Sequence, residues 1–291
     1  MIRMIVNMGS SSEAMLKYLL GIWLIWGMNW VVMKSANEYF DPAVFVAWRF
    51  GTGALILLGV CLYKRLSLPE KNYWPWIIGS GILSGCLNPV LIQLGMVELG
   101  AGLAAMLNYT MPVWVLILAQ FIIGERLTLR KIICILLCVA GLAVLLNIDV
   151  NGSLNSMLLA IGAAWSWALS NVITRWKLKD CQPIQLTTAQ TATGAIGMFI
   201  YLAILSRPDT VWCTASVMVV IYNGLIASAI AFLMWTYVLQ NMEAGKASIA
   251  ILVVPVVGVI GGIVFLGETV TLKTAIGMLL VAAGVAGTVK S

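Results

Sequence analysis

Long apolar runs, separated by short polar connections, make up almost the whole chain. They lie at about 15–33, 43–63, 74–97, 101–123, 131–147, 156–174, 184–205, 215–239, 246–266 and 273–289. Most are close to the roughly 20 apolar residues that a helix needs to cross a hydrocarbon core of about 30 Å. Membrane β-strands would instead alternate polar and apolar positions over about ten residues. These runs are continuous. The pattern therefore predicts an all-α integral membrane protein with ten transmembrane helices. The first run is too long for the apolar part of a secretion signal, has no small-residue cleavage site behind it, and leads straight into another span. It is expected to stay in the protein. Residues 1–14 read as a short disordered tail, with Ser10 and Glu13 spaced as a capping box for the first helix.

Composition sharpens this reading. Of 291 residues 62% are hydrophobic and 10% charged, where a soluble domain carries about 25% charged residues. Even large soluble domains bury only about 75% of their surface, so the apolar surplus must face lipid. The net charge of +6 does not point to nucleic acid, because the positive residues sort by membrane side. With the N-terminus cytoplasmic, that side holds Arg3, Lys17, Lys64, Arg65, Lys71, Arg126, Arg130, Lys131, Arg175, Lys177, Lys179, Lys246 and Lys290. The opposite side holds only Lys34, Arg207 and Lys273, while Arg49 lies within a span. This asymmetry places both termini in the cytoplasm, in a multi-pass protein of the cell membrane. Trp74 and Trp76 open the third span and Trp212 precedes the eighth, where interfacial aromatics belong.

The chain also repeats itself. At an offset of 143, Pro112 meets Pro255, Gly124 meets Gly267, Glu125 meets Glu268, Thr128 meets Thr271 and Gly141 meets Gly284. At an offset of 141, Gly21 meets Gly162, Trp26 meets Trp167, Pro42 meets Pro183, and Thr52-Gly53-Ala54 meets Thr193-Gly194-Ala195. Two halves follow, residues 1–147 and 148–291, each of five spans. Five is odd, so the halves insert in opposite directions. Two inverted five-helix repeats related by an axis in the membrane plane are the arrangement many secondary transporters use for alternating access.

Particular residues then resemble a known group. Trp26-Gly27 with Asn29, the Pro42…Arg49-Phe50 stretch, and the Pro112 helix ending in Gly124-Glu125-Arg126-Leu127-Thr128, with their second-half echoes, look like the EamA branch of the drug/metabolite transporter superfamily. The resemblance covers essentially the full length. It implies a ten-helix carrier that exports or exchanges small metabolites, with a central cavity lined mainly by spans 1, 3, 4, 6, 8 and 9. The second half departs from the first at the Arg49 position, where Gln190 stands.

The side chains within the spans limit the chemistry. There is no histidine, and Glu13, Glu38, Asp41, Glu70, Glu98, Glu125, Asp149, Asp180, Asp209, Glu243 and Glu268 all fall in loops or at helix ends. Proton-driven carriers place such groups inside the spans as relays, so transport without carboxylate-based proton coupling is expected. An enzyme would need a positioned base, nucleophile or metal, and the spans carry no such set. Cys134 and Cys138 share a helix face without nearby His or carboxylate, so they read as packing residues and no metal or cofactor is expected.

Arg49 has two readings: a guanidinium that holds a substrate carboxylate, or a side chain that snorkels outward or pairs with Glu98. The remaining cavity candidates are Trp26 and its match Trp167, with Asn29, Asn88, Gln93, Asn108, Tyr109, Asn171, Asn223 and Ser248. Polar groups in lipid are costly and should face the bundle interior, as substrate contacts or as ties between helices. Pro89, Pro112 and Pro255 are expected to bend their helices and act as flex points. Gly81 with Gly85, and Gly258 with Gly262, form small-residue faces for close packing. Glu125 and Glu268 are expected to cap the turns before spans 5 and 10.

The expected partners are thus a small-molecule metabolite, with amino acids and related compounds leading, and the lipid bilayer; the sequence leaves the oligomeric state open and is compatible with a monomer. A sugar-phosphate or nucleotide-sugar exchanger is the nearest alternative, although that chemistry calls for two or more intramembrane cations. A non-transport membrane subunit is the other, and it has no need of two-sided symmetry.

Overall fold

The computed structural model describes residues 12–36, 38–96, 107–145, 154–204, 210–266 and 271–289, and among them there are helices and no strand. Ser10 and the Glu13 side chain, the Gln93 side chain, Glu98, Gly267 and Glu268 lie outside the described residues. Helix α1 is Ser12–Ala36 and α2 is Pro42–Tyr63. The start of α2 is set locally: Pro42 occupies the first turn, where its missing N–H is no loss, and Asp41 accepts the Ala43 N–H at 2.9 Å. Helix α3 (Trp74–Ile82) runs through a π-helical segment, π1 (Leu83–Leu87), into α4 (Asn88–Met96). Helices α5 (Met111–Ile122) and α6 (Leu129–Leu145) complete the first half.

The second half opens with α7 (Leu154–Lys177) and α8 (Pro183–Ile204). Helix α9 (Thr214–Tyr222), the π segment π2 (Asn223–Ile230) and α10 (Ala231–Asn241) again form one rod. Then follow α11 (Ala244–Ala250), α12 (Val253–Leu266) and α13 (Leu272–Val289).

Among the described residues, four helical stretches are long and apolar enough to cross a membrane: Ala43–Tyr63, Lys71–Ile92, Leu154–Lys177 and Thr214–Asn241. Met111–Ile122, Ala244–Gly258 and Ala275–Gly287 are apolar but shorter. Two of these stretches carry a proline and a helix break. The sequence places Pro112 and Pro255 midway along continuous helices, as bends. Instead the helix stops before each: Pro112 stands in the first turn of α5, and Pro255 in the first turn of α12 behind a turn at Ile251–Leu252. A proline at that place deletes an N–H that has no intrahelical acceptor anyway, so a break costs less than a kink. Pro89 likewise sits just behind π1, at the start of α4.

Elements of the two halves interleave. Helix α1 packs on α12 and α10, α5 on α7, α2 on α8 and π2, the α3–π1–α4 rod on α7 and α8, and α6 on α13. Small residues set the closest approaches. A Cβ added at Gly85 would lie 2.8 Å from Gly194 Cα, and one at Gly81 would lie 2.7 Å from the Gln190 carbonyl oxygen. Cys134 and Cys138 notch into Gly284 and Gly287 of α13: a Cβ at Gly287 would come within 2.5 Å of Cys134 Sγ.

Polar side chains join the apolar core while large apolar ones line the surface. Asn171, Ser80, Ser166, Asn223, Ser228 and Ser248 are buried, while Leu55, Phe121, Ile204 and Leu279 stand out from the surface. A broad apolar exterior around a polar-seamed interior is what lipid solvation selects.

Candidate functional site

The centre of the molecule is an aromatic cluster crossed by amide and hydroxyl groups. Trp26 of α1 lies edge-on to Trp167 of α7 at 6.1 Å and to Phe232 of α10 at 5.3 Å, and is tilted against Trp235 at 6.0 Å. The sequence match of Trp26 to Trp167 thus becomes a contact. A π segment carries one more residue per turn than an α-helix can pair, which releases carbonyls for other donors. Trp26 Nε1 takes one of them, donating to the Ala227 oxygen of π2 at 2.9 Å.

Arg49 reaches the same segment from the other side. Its Nε donates to Ser228 Oγ at 2.8 Å, and its guanidinium lies 5.5 Å from the Phe50 ring centre. Neither polar alternative drawn from the sequence named Ser228. The pair is visible only once α2 is seen to pack on π2, 179 residues away. At the matching place in the second half, Gln190 Nε2 donates to Ser80 Oγ at 2.7 Å and to Thr174 Oγ1 at 3.1 Å. Arg49 and Gln190 thus each reach a serine contributed by the opposite half of the sequence.

Several predicted residues have their polar atoms occupied. Asn171 accepts from Trp235 Nε1 at 3.2 Å and donates to Met111 Sδ at 3.6 Å, tying α7 to α10 and α5. Asn88 donates to Asn108 Oδ1 at 3.1 Å and to the Ala163 oxygen at 2.8 Å. Ser248 bonds back to the Gly245 oxygen within its own helix at 2.9 Å. Tyr109 is buried beside the break before α5. Asn88 and Asn171 hold helices in register.

Asn29 and Asn223 behave otherwise. Both are buried, at 3% and 0% exposure. Asn223 Nδ2 donates to the Val219 oxygen at 3.1 Å, yet Asn223 Oδ1 and Asn29 Oδ1 have no hydrogen-bond partner. The indole N–H groups of Trp23 and Trp114 are likewise buried and unpaired. Buried polar atoms without partners are rare and call for an explanation.

The end of α5 joins the two halves. Gly124 adopts φ +78°, the left-handed conformation that glycine tolerates best, and the Glu125 N–H turns back onto the Ala119 oxygen at 3.1 Å. That closure aims Glu125 away from its own turn. Its carboxylate accepts the N–H groups of Ala244 (2.9 Å) and Gly245 (3.2 Å), capping α11 rather than the turn before α6 as its sequence position suggested. A carboxylate suits that place because it meets both unpaired donors and the positive end of the helix dipole. Beside it, Lys131 Nζ meets Glu243 Oε2 at 2.9 Å and donates to the Arg126 oxygen at 3.1 Å. The Lys131 hydrogen bond holds the Glu243 carboxyl below its usual range. The sign follows: this tie is complete above the ordinary carboxylate range and is lost as pH falls through the depressed value.

Among the described residues no group of three or more His, Cys, Asp or Glu side chains could hold a metal. The chemistry on offer is recognition by rings, amides and one guanidinium.

Comparison with known proteins agrees in kind. The pattern of the EamA-like transporter family matches residues 14–147 and again 154–290. The uncharacterized transporter YoaV of Bacillus subtilis (strain 168) is 30% identical over 282 residues, covering 93% of this chain and 96% of its own. A probable amino-acid metabolite efflux pump of Salmonella typhimurium (strain LT2) is 24% identical, covering 90% of each chain. A solved crystal structure superposes with a TM-score of 0.81 at 20% identity, over 95% of this chain and 96% of that one, which speaks for the fold alone. The chain is a membrane protein of the EamA-like transporter family.

Proposed function

We propose that the protein is a ten-span carrier of small metabolites, amino acids or related compounds foremost, working by alternating access between two inverted five-helix repeats, 1–147 and 148–291. The observation that supports this most is the matched irregularity of the halves. Shifted by 141 to 143 residues, π1 falls within π2, and the break before Pro112 falls on the break before Pro255. Packing follows the same exchange, since α1 on α12 corresponds to α7 on α5. Interrupted helices at matched places are where carriers of this architecture bind their cargo.

The amino-acid class draws support from the name of the Salmonella relative and from the zwitterion-like chemistry of the centre: a guanidinium, unpaired amide oxygens and ring faces. Uptake into proteoliposomes against amino acids, nucleosides and organic phosphates tests it. A preference for the phosphates would favour the exchanger alternative.

The orientation carries its own prediction. Single cysteines near Asn151 or Arg207 should react with an impermeant thiol reagent from outside, and ones near Lys71 or Lys179 should not. The reverse pattern would overturn the cytoplasmic placement of the termini and leave the family assignment intact.

A further inference from the structure

We propose that the amide oxygens of Asn29 and Asn223 form the subsite for the protonated amino group of the carried compound. This deepens the amino-acid reading above and rests on it.

Three contacts fix how α1 lies against the rod of α9, π2 and α10. Tyr18 meets Tyr237 edge-on at 4.9 Å, a Cβ at Gly21 would lie 3.0 Å from Met234 Cε, and Trp26 bonds Ala227. As residue numbers rise in α1 they fall in the partner, so the two run antiparallel. Asn29 follows Trp26 by three residues, on the same face of α1. Asn223 precedes Ala227 by four, nearly one turn of a π segment. Both amides therefore stand about one turn beyond the Trp26–Ala227 bond, in the same direction and on facing elements.

Two neighbouring donors are already committed: Trp26 Nε1 serves Ala227, and Asn223 Nδ2 serves Val219. The two amide oxygens stand as unpaired acceptors. A carboxylate or phosphate, itself only an acceptor, gains nothing from these two oxygens, whereas an ammonium brings three donors to them. Arg49 meets Ser228, on the turn next to Asn223, and its positive charge complements the carboxylate of a zwitterion. Neutral amides in place of an aspartate hold the amino group without adding an intramembrane charge when the site is empty. Both oxygens are enclosed by protein in this arrangement, so the compound reaches them as α1 and π2 part.

The test compares matched probes on one skeleton: L-leucine, 4-methylpentanoate, which lacks the amino group, and 3-methylbutylamine, which lacks the carboxyl group. The same series on the phenylalanine skeleton guards against a poor side-chain fit. Melting temperature and proteoliposome uptake are measured for the natural protein and for Asn29→Leu and Asn223→Leu. The amino acid and the amine should raise the melting temperature more than the acid does. The Leu variants should melt no lower than the natural protein, because each removes an unpaired buried acceptor, and should need at least tenfold more amine for the same shift. Amine-bearing probes without effect on the natural protein, or Leu variants that keep the shift, would overturn the subsite. Uptake of compounds lacking an amino group, with no amine effect, would sink the subsite and leave transport standing. An amine shift lost in the variants without uptake of any compound would do the opposite.

Discussion

Replacing Glu125 by Ala is expected to destabilise the protein by about 2–4 kcal/mol. Its carboxylate accepts two backbone N–H groups of α11, at 2.9 and 3.2 Å, and hydrogen bonds to a charged group contribute about 1.5–3 kcal/mol each. The range sits below the simple sum because Glu125 is only half-buried and water can meet part of the need. Glu125→Gln keeps one acceptor oxygen and should lose roughly half as much. The contact also closes the end of the bundle where Leu116 of α5 meets Gly245 of α11, so close that a Cβ at Gly245 would stand 2.6 Å from Leu116 Cδ2. Loss of the cap should therefore raise the labelling rate of a cysteine placed at Ala247, buried in α11. Chemical unfolding and labelling together check the claim. A Glu125→Ala protein as stable as the natural one, with unchanged labelling, would show that the cap does not hold the halves together.

The second large effect is expected at Arg49. Arg49→Gln should cost about 1–3 kcal/mol of stability, the loss of a charged hydrogen bond to Ser228. It should also weaken the preference for a carboxylate-bearing compound over its amide at least tenfold, the equivalent of about 1.4 kcal/mol. Gln is the informative replacement because the second half carries Gln190 at the matched position, bonded to Ser80 and Thr174. Ser228→Ala separates the two contributions. It removes the same internal bond, so it should lower stability while leaving the acid-over-amide preference in place. An Arg49→Gln protein that keeps that preference would confine Arg49 to a structural role.

These sites differ in how far the sequence reveals them. Uninterrupted apolar runs made the helices legible, since nothing else explains so much hydrophobic surface. The Gly124-Glu125 motif was legible as a turn, because glycine there answers a local need for positive φ. Its partner was not, because Ala244 lies 119 residues away and only folding brings it near. Pro112 and Pro255 marked the right places, but the bends expected there are breaks; the choice depends on what surrounds the freed backbone groups. Pro89, directly behind π1, marks an irregularity there without naming its kind, and π2 has no such proline. Among the amides, composition placed Asn29, Asn88, Asn171 and Asn223 alike inside the bundle. Only the structure divides them into tied and unpaired, since that depends on which donors the neighbouring helices present.

Counterflow tests the central claim most directly. Proteoliposomes are loaded with a high concentration of an unlabelled amino acid, placed in equal pH and sodium on both sides, and given a trace of the labelled compound outside. A carrier that alternates between two faces, with no acidic or histidine relay in its spans, should draw the label inward transiently above its outside concentration and then release it. Label that never exceeds the outside concentration, or that accumulates only when a pH or sodium gradient is imposed, would contradict uncoupled alternating access.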